Sequence, residues 1–262
     1  MSFSIYTSLY NLSGGFIDYK SALDNFCGFA EEVIIGTTTD SQDNTIELLQ
    51  EYQKLNPKVK LAITDFKLDT AEFDGQIKNA ALKLSTKKFS ILLDGDERIV
   101  LSDRNRWEEL ANRLDNSNLE AVMIPVIDLF NSEKEYKSIG RKWYLHKNNP
   151  TFTRGVVKFA RKEGGNIDHS KSDTCELLNE DGNLVKSALI EQTLTVEEIQ
   201  DKDIPYVLHL GYLNKENRLK SNKFWQPVWN KRAGEEVTDI IHNIEDLNKI
   251  KYFKHNLKLW NE

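Results

Sequence analysis

Cysteine is nearly absent from this chain. Only Cys27 and Cys175 occur in 262 residues, far apart and outside any metal-ligand spacing. That excludes a disulfide scaffold and a thiolate zinc site; the expectation is two free thiols in a reducing cytosol. No stretch approaches the ~20 apolar residues that a membrane span needs, which leaves only peripheral contact with a membrane surface open. The N-terminus, MSFSIYTSLYNLSGG, has no basic segment followed by a long apolar run, so no signal peptide is expected. Positive charge is also in short supply. Lys and Arg number 35 against 41 Asp and Glu, a net charge of −6. A nucleic-acid binder normally shows a basic face, so no nucleic-acid partner is expected.

What is present is a core and a rhythm. Hydrophobic residues make up 39% and aromatics 10%, enough for one large domain. Phe3 to Leu9 reads as a strand, and Gly14-Gly15 as a turn. Phe16 to Ala30 carries a helical pattern, and Val33 to Ile35 is a second buried strand. A helix starts at Asn44-Thr45-Ile46-Glu47 and stops at Pro57. Val59, Leu61 and Ile63 form a third strand. Ile77, Ala80, Ala81 and Leu84 lie on a further helical face before the strand at Phe89. Alternation of this kind means βαβ units and a parallel sheet, with the strand ends on one common edge. After Val100 the rhythm changes. A helix is expected around Trp107 to Leu114, and a strand over Ala121 to Phe130, where Pro125 implies an edge or a bulge. From Asn131 to Asp203 no clean period is visible; Val156 to Phe159 and Leu184 to Val196 are candidate strands. Tyr206 to Leu210 is a short strand. Two helical segments, about Lys215 to Trp229 and Glu236 to Lys254, close the chain. The expectation is one domain over 1–262, with a nucleotide-binding half (1–125) and a more irregular half (126–262).

The chain is organised around FSILLDGDERIV, Phe89 to Val100. A short apolar run without polar alternation suits a strand buried on both faces. Asp94, Gly95, Asp96 and Glu97 then place three carboxylates at its C-terminal end, where open α/β sheets bind ligands. Asp94 and Asp96 can turn toward one hard cation. Carboxylate oxygens suit Mg²⁺ or Mn²⁺, ions that commonly share substrate phosphates. A second Asp-x-Asp, Asp201 and Asp203, follows a polar run and reads as a surface loop. His209 ends a short apolar strand just before Gly211, where backbone can approach a ligand closely. A neutral imidazole is an acceptable Mn²⁺ ligand, so His209 is a candidate to complete the metal shell; a hydrogen-bonded core histidine is the alternative.

The order of these pieces resembles the family 2 glycosyltransferases, which have the GT-A fold. SIYTSLYN (Ser4 to Asn11) is similar to the family's opening strand, and EEVIIGTTTDSQDNT (Glu31 to Thr45) to its second strand with Ser-x-Asp-x-Thr. KNAAL (Lys78 to Leu82) looks like the basic-Asn-Ala element, and ILLDGDE takes the place of the family's Asp-x-Asp. KFARKEGG (Lys158 to Gly165) and LHLGY (Leu208 to Tyr212) resemble the bacterial subgroup that builds lipopolysaccharide core and similar glycans. The match covers roughly the first hundred residues.

The resemblance implies an α/β, GT-A-type Rossmann-like sandwich with a mostly parallel sheet. It implies an inverting, metal-dependent transferase of the hexosyl type. The sugar would move from a nucleotide sugar, a UDP-sugar first among them, to a glycan or lipid-linked glycan. Asp96 would bind Mn²⁺ or Mg²⁺ most directly and Asp94 would hold the sugar or ribose. Lys78 would reach a phosphate, and Ser8 and Tyr10 would line the base pocket. The family's base-reading Asp falls at Thr38, with Asp40 two residues on as its substitute. The base that inversion requires falls in NIDHSKSDTCE (Asn166 to Glu176), with Asp168 and His169 nearest the matching position. A sugar-1-phosphate nucleotidyltransferase and a non-catalytic sugar-binding module of the same fold are the competing readings.

Overall fold

A computed structural model describes residues 1–15, 17–68, 73–119, 121–130, 132–147, 152–155, 160–161, 167–168, 175–178, 187–189, 198–199, 202–213, 216, 219–220 and 251–252. The chain begins with β1 (Phe3–Ser8), α1 (Tyr19–Phe29), β2 (Glu32–Thr38), α2 (Thr45–Leu55), β3 (Val59–Thr64), α3 (Phe73–Leu82) and β4 (Phe89–Leu92). It continues with β5 (Glu97–Ile99), α4 (Arg104–Asp115), β6 (Ala121–Phe130) and β7 (Ser132–Lys147). Short strands follow: β8 (Phe152–Gly155), β9 (Ala160–Arg161), β10 (Ile167–Asp168), β11 (Cys175–Leu178) and β12 (Ser187–Leu189). β13 (Val207–Tyr212) and β14 (Lys251–Tyr252) complete the described elements.

The expected α/β, Rossmann-like arrangement is the one observed. Ten strands form one sheet in the order β3-β2-β1-β4-β7-β6-β13-β5, with β12 on β6 and β14 on β7. β3, β2, β1 and β4 are mutually parallel, so their C-terminal ends share one edge. All seven residues of β2 are buried, as a parallel strand covered on both faces requires. The alternation of side chains sends Phe3 to one face, where it meets Phe29 of α1 (ring centroids 5.6 Å), which in turn meets Trp107 of α4 (5.8 Å). Ser8 and Gly36 point to the other face, under α3. A Cβ at Gly36 would sit 2.5 Å from the Ile77 carbonyl oxygen. The missing side chain is what lets α3 lie close against β2.

Several boundaries differ from those read in the sequence. The first helix begins at Tyr19, because the Asp18 side chain accepts the Ser21 N–H (3.1 Å) and caps it there. Pro125 does not lie on an edge strand. β6 pairs with β7 along its length, with β12 at Ala121 to Met123 and with β13 from Val126 onward. Pro125 falls in the gap between those two partners, and a bulge follows it at Val126/Ile127. The sixteen-residue β7 lies in a region read as aperiodic. Three register shifts against β6 break the two-residue period that would have revealed it. At the chain's end the helical reading of Glu236 to Lys254 fails at Lys251–Tyr252, which pair antiparallel with Tyr136 and Glu135 of β7. An open strand edge there offers backbone partners that a helix would not use. Glu216, Leu219 and Lys220 are helical, as expected. Val156 to Phe159 lie outside the described residues, and within Leu184 to Val196 the described residues, Ser187–Leu189, form a strand. Asp203 lies in an exposed turn with φ 53°, as the surface-loop reading of Asp201 and Asp203 expects, and Asp201 itself lies outside the described residues.

Candidate metal and nucleotide site

The turn after β4 is built from three pieces. The Glu97 N–H donates to the Asp94 carbonyl (3.0 Å), closing a tight turn, and the Glu97 carboxylate accepts the Asp94 N–H (2.8 Å). Glu97 thus caps the turn, and it is fully buried. Burial, with Asp94 and Asp96 nearby, pushes its carboxyl up to about 8. Arg98, 2% exposed, locks the turn from behind. It donates to the carbonyls of Gly95 (3.2 Å) and Glu97 (2.7 Å), and to that of Asp18 (3.0 Å). Gly95 has no room for a side chain: a Cβ would lie 2.6 Å from Leu9.

Asp94 and Asp96 diverge from this turn into two connected clusters. Asp94 pairs with Lys78 of α3 (2.7 Å). Lys78 also pairs with Asp74 one helical turn earlier (2.9 Å), and at 3% exposure it is a buried charge rather than a solvated one. Asp74 accepts hydrogen bonds from Ser8 Oγ (2.6 Å) and Tyr10 Oη (3.5 Å). The Asp94 carboxyl is raised, chiefly by burial, with Asp74 and Asp96 adding to the effect and Lys78 opposing it. Tyr10 also stacks edge-on against Phe73 (5.2 Å), so it is both a core aromatic and a member of this cluster.

Asp96 turns the other way. Its Oδ2 lies 3.2 Å from His209 Nε2, and its carbonyl accepts the Leu210 N–H (2.8 Å). His209 Nδ1 lies 2.8 Å from Asp128 Oδ1. Asp128 and His209 face each other in the β6–β13 ladder, and His209 faces Glu97 in the β13–β5 ladder. The three therefore form a row across neighbouring strands. Gly211 permits the close approach of this strand: a Cβ would lie 2.7 Å from His209 Nε2 and 2.8 Å from Asp96 Oδ2.

The donor set fits a divalent ion. Two ligands at about 2.1 Å from one ion, at right angles, stand about 3.0 Å apart, close to the observed Asp96–His209 separation. A ligating histidine commonly gives its other ring N–H to a carboxylate, the position Asp128 occupies. Asp74, Asp94, Asp96 and Asp128 also outnumber the cations Lys78 and Arg98, so the local field favours a cation. Among the described residues no group of three or more His, Cys, Asp or Glu forms a ready-made metal cage. Further ligands would have to come from water and phosphate, as is usual for Mg²⁺.

The remaining candidates are placed as follows. Thr38 is fully buried; its Oγ1 donates to the Phe66 carbonyl (2.6 Å) and accepts the Asp40 N–H (3.1 Å). Asp40 pairs with Lys67 (2.8 Å) and accepts the Leu68 N–H (2.9 Å), so both residues hold the 66–68 segment beside Tyr10. Asp43 accepts from the Thr45 N–H (3.1 Å) and the Ser13 N–H (2.7 Å), an end-of-helix role. Asp168 lies in β10 opposite Ala160, in a two-stranded sheet separate from the large one. His169 lies outside the described residues. Two members of the cluster, Asp74 and Asp128, escape the sequence reading. Asp74 stands four residues before Lys78, and Asp128 is the one charge in the apolar run AVMIPVIDLF; both were visible as signals of spacing or of context.

No known family profile matches this chain, and no curated protein does. Solved structures with partial likeness include S. aureus TarS 1-349 with UDP-GlcNAc: 19% identity, TM-score 0.38, 49% of this chain and 35% of that one. The mannosyltransferase PcManGT from Pyrobaculum calidifontis, with GDP-Man and Mn²⁺, gives 18%, 0.36, and 47% and 34% coverage. A putative glucose-1-phosphate thymidylyltransferase from Bacillus anthracis, with sucrose, gives 12%, 0.35, and 56% and 71%. The matched part spans about a third of the first two proteins. Likeness of this extent carries no argument about activity.

Proposed function

We propose that this chain is a metal-dependent glycosyltransferase that moves a sugar from a nucleotide sugar to a glycan or lipid-linked glycan, with inversion at the sugar carbon. The observation that carries this reading is the convergence of Asp96 and His209 beside the Lys78–Asp94 pair at the C-terminal edge of the parallel sheet. Asp96 and His209 would hold Mn²⁺ or Mg²⁺, which supplies charge neutralisation for a departing diphosphate. Asp94 would hold the sugar or ribose. Lys78 would offer its ammonium to phosphate while keeping Asp94 oriented. Ser8, Tyr10, Thr38 and Asp40 would border the base, a uracil first among the candidates. The acceptor oxygen forms its bond to the sugar carbon as the bond to phosphate breaks. The hydroxyl proton passes to a base, for which Asp168 and His169 stand as candidates.

The same site would serve a non-catalytic sugar-binding module, a reading supported by Thr38, whose hydroxyl is committed to a backbone carbonyl. A sugar-1-phosphate nucleotidyltransferase would want a basic Gly-rich loop after β1. Here Ser13 is bound to Asp43 and Asn44 instead. Donor turnover decides between these readings. UDP-, GDP-, dTDP- and CMP-sugars are incubated with and without Mn²⁺, using wild-type protein and Asp96→Ala. Mn²⁺-dependent release of nucleoside diphosphate (or of CMP from a CMP-sugar) by wild type, lost in Asp96→Ala, supports the transferase. Full activity in Asp96→Ala ends the metal assignment.

A further inference from the structure

Asp128 has no part in the family resemblance, and only its place as the one charge in an apolar run sets it apart in the local sequence. Its setting is unusual. It is 6% exposed, in a strand whose other described side chains are apolar and buried. A carboxylate is costly to bury there unless a partner repays it. Its partner is His209 Nδ1 at 2.8 Å, and His209 is itself 4% exposed. The ring's other nitrogen lies 3.2 Å from Asp96 Oδ2. The Asp128–His209 contact joins residues 81 apart in sequence, and the Asp96–His209 contact joins residues 113 apart.

We infer that Asp128 is a positioning residue for the ion-binding face of His209. This rests on the metal-dependent reading above. A carboxylate accepts but does not donate, so its contact with Nδ1 requires the ring proton to sit on Nδ1. An ion between Nε2 and Asp96 would then take the Nε2 lone pair in place of the hydrogen-bonding contact seen there, while Asp128 keeps Nδ1–H. The same hydrogen bond fixes the rotation of the ring. Because Asp128 and His209 are direct partners in the β6–β13 ladder, sheet register holds this geometry before any ligand arrives. Gly211, two residues on, leaves no side chain to displace either donor. Asp128 thus acts through His209 and touches neither sugar nor phosphate.

A further consequence concerns metal choice. An imidazole nitrogen is a better ligand for Mn²⁺ than for Mg²⁺ or Ca²⁺, which prefer oxygen. Loss of Asp128 is therefore expected to weaken Mn²⁺ binding selectively, leaving oxygen-dominated binding of Mg²⁺ and Ca²⁺ little changed. A general loosening of the fold would weaken all three together.

The experiment uses the full chain as wild type, Asp128→Asn, Asp128→Ser and His209→Ala. Metal-free melting temperatures identify variants that remain folded; two substitutions of different size guard against one of them failing to fold. Affinity for Mn²⁺ alone is read from the paramagnetic resonance signal of the free ion, and Mg²⁺ and Ca²⁺ are measured by competition. Nitrogen-14 modulation of the bound Mn²⁺ signal reports an imidazole ligand. The expected result is nitrogen modulation in wild type, lost or weakened in the Asp128 variants. Mn²⁺ affinity should fall about 10- to 100-fold, the range usual for removing a group that orients a metal ligand, and approach that of His209→Ala. Wild-type Mn²⁺ affinity and intact nitrogen modulation in a folded Asp128 variant would overturn the inference and leave the metal-dependent reading standing. Absence of Mn²⁺ binding by wild type would overturn both.

Discussion

Lys78 Nζ stands 2.7 Å from Asp94 and 2.9 Å from Asp74, and only 3% of the lysine is exposed. One buried ammonium therefore joins the helix before the acidic turn to the turn itself. Replacing it by a neutral residue leaves two carboxylates facing each other in a poorly solvated place. Lys78→Met should lower stability by roughly 2 kcal/mol, less than for a fully buried pair because both partners keep some solvent. It should also reduce donor turnover severely. Urea melts and turnover measured side by side check this; an unchanged melting midpoint would show that the ion pairs contribute no net stability.

Gly211 tests the site without removing a donor atom. In Gly211→Ala the new Cβ would lie 2.7 Å from His209 Nε2 and 2.8 Å from Asp96 Oδ2, well inside ordinary contact. Asp96 and His209 must then separate. At a fixed, limiting Mn²⁺ concentration, activity should fall more than tenfold, with partial recovery at high Mn²⁺. A titration of activity against Mn²⁺ gives the answer. Wild-type behaviour would mean that the two donors do not share an ion.

The sequence resemblance implies a base-reading Asp at position 38, and placing an Asp there should not confer that role. Thr38 Oγ1 donates a proton to the Phe66 carbonyl (2.6 Å). An ionised carboxylate has no proton to give and would face that carbonyl with like polarity. Thr38→Asp should destabilise by about 2 kcal/mol and leave uridine nucleotide binding no tighter. Thermal denaturation with and without UDP distinguishes the outcomes; a tighter UDP complex in a fully stable variant would contradict this account.

Glu32 gives the fold a pH dependence remote from the site. Burial alone would raise its carboxyl. Bonds from Lys60, from Ser4 Oγ (2.6 Å), and from the Thr86 N–H and hydroxyl (both 2.8 Å) outweigh burial and hold it at about 2, against an ordinary 4.5. Between those values the unfolded chain binds a proton that the folded chain does not. The stability Glu32 contributes is thus present in full above about pH 4.5 and drains away as pH falls toward 2. It amounts to something on the order of 2 kcal/mol, since Lys60 is partly exposed. Glu32→Gln should flatten the dependence of unfolding free energy on pH over that interval, as measured by denaturant melts from pH 3 to 6. Identical slopes in both proteins would refute the assignment.

The first hundred residues carry most of what could be read directly. Apolar runs of strand length alternating with helical periods are local consequences of backbone geometry, and they determined β1 to β4, their parallel pairing and the common edge where Asp94 and Asp96 stand. The helix stop before Pro57 and the turn at Gly14-Gly15 rest equally on local chemistry. Glu97 capping its own turn and Asp43 holding a helix start are contacts of the same local kind.

Tertiary structure alone decided the rest. Nothing near Asp128 in sequence says that it faces His209, and nothing near Asp96 says that its carboxylate meets that ring rather than Asp94 or Lys78. Those contacts depend on β13 pairing with β6 and β5 in one particular register, where a shift of one residue would send His209 to the opposite face of the sheet. The period of two that reveals a strand is indifferent to its neighbour. In β7 even that period is broken, because bulges shift the alternation partway along. Residue type and local spacing therefore marked which side chains were able to do chemistry, while strand register determined which of them meet.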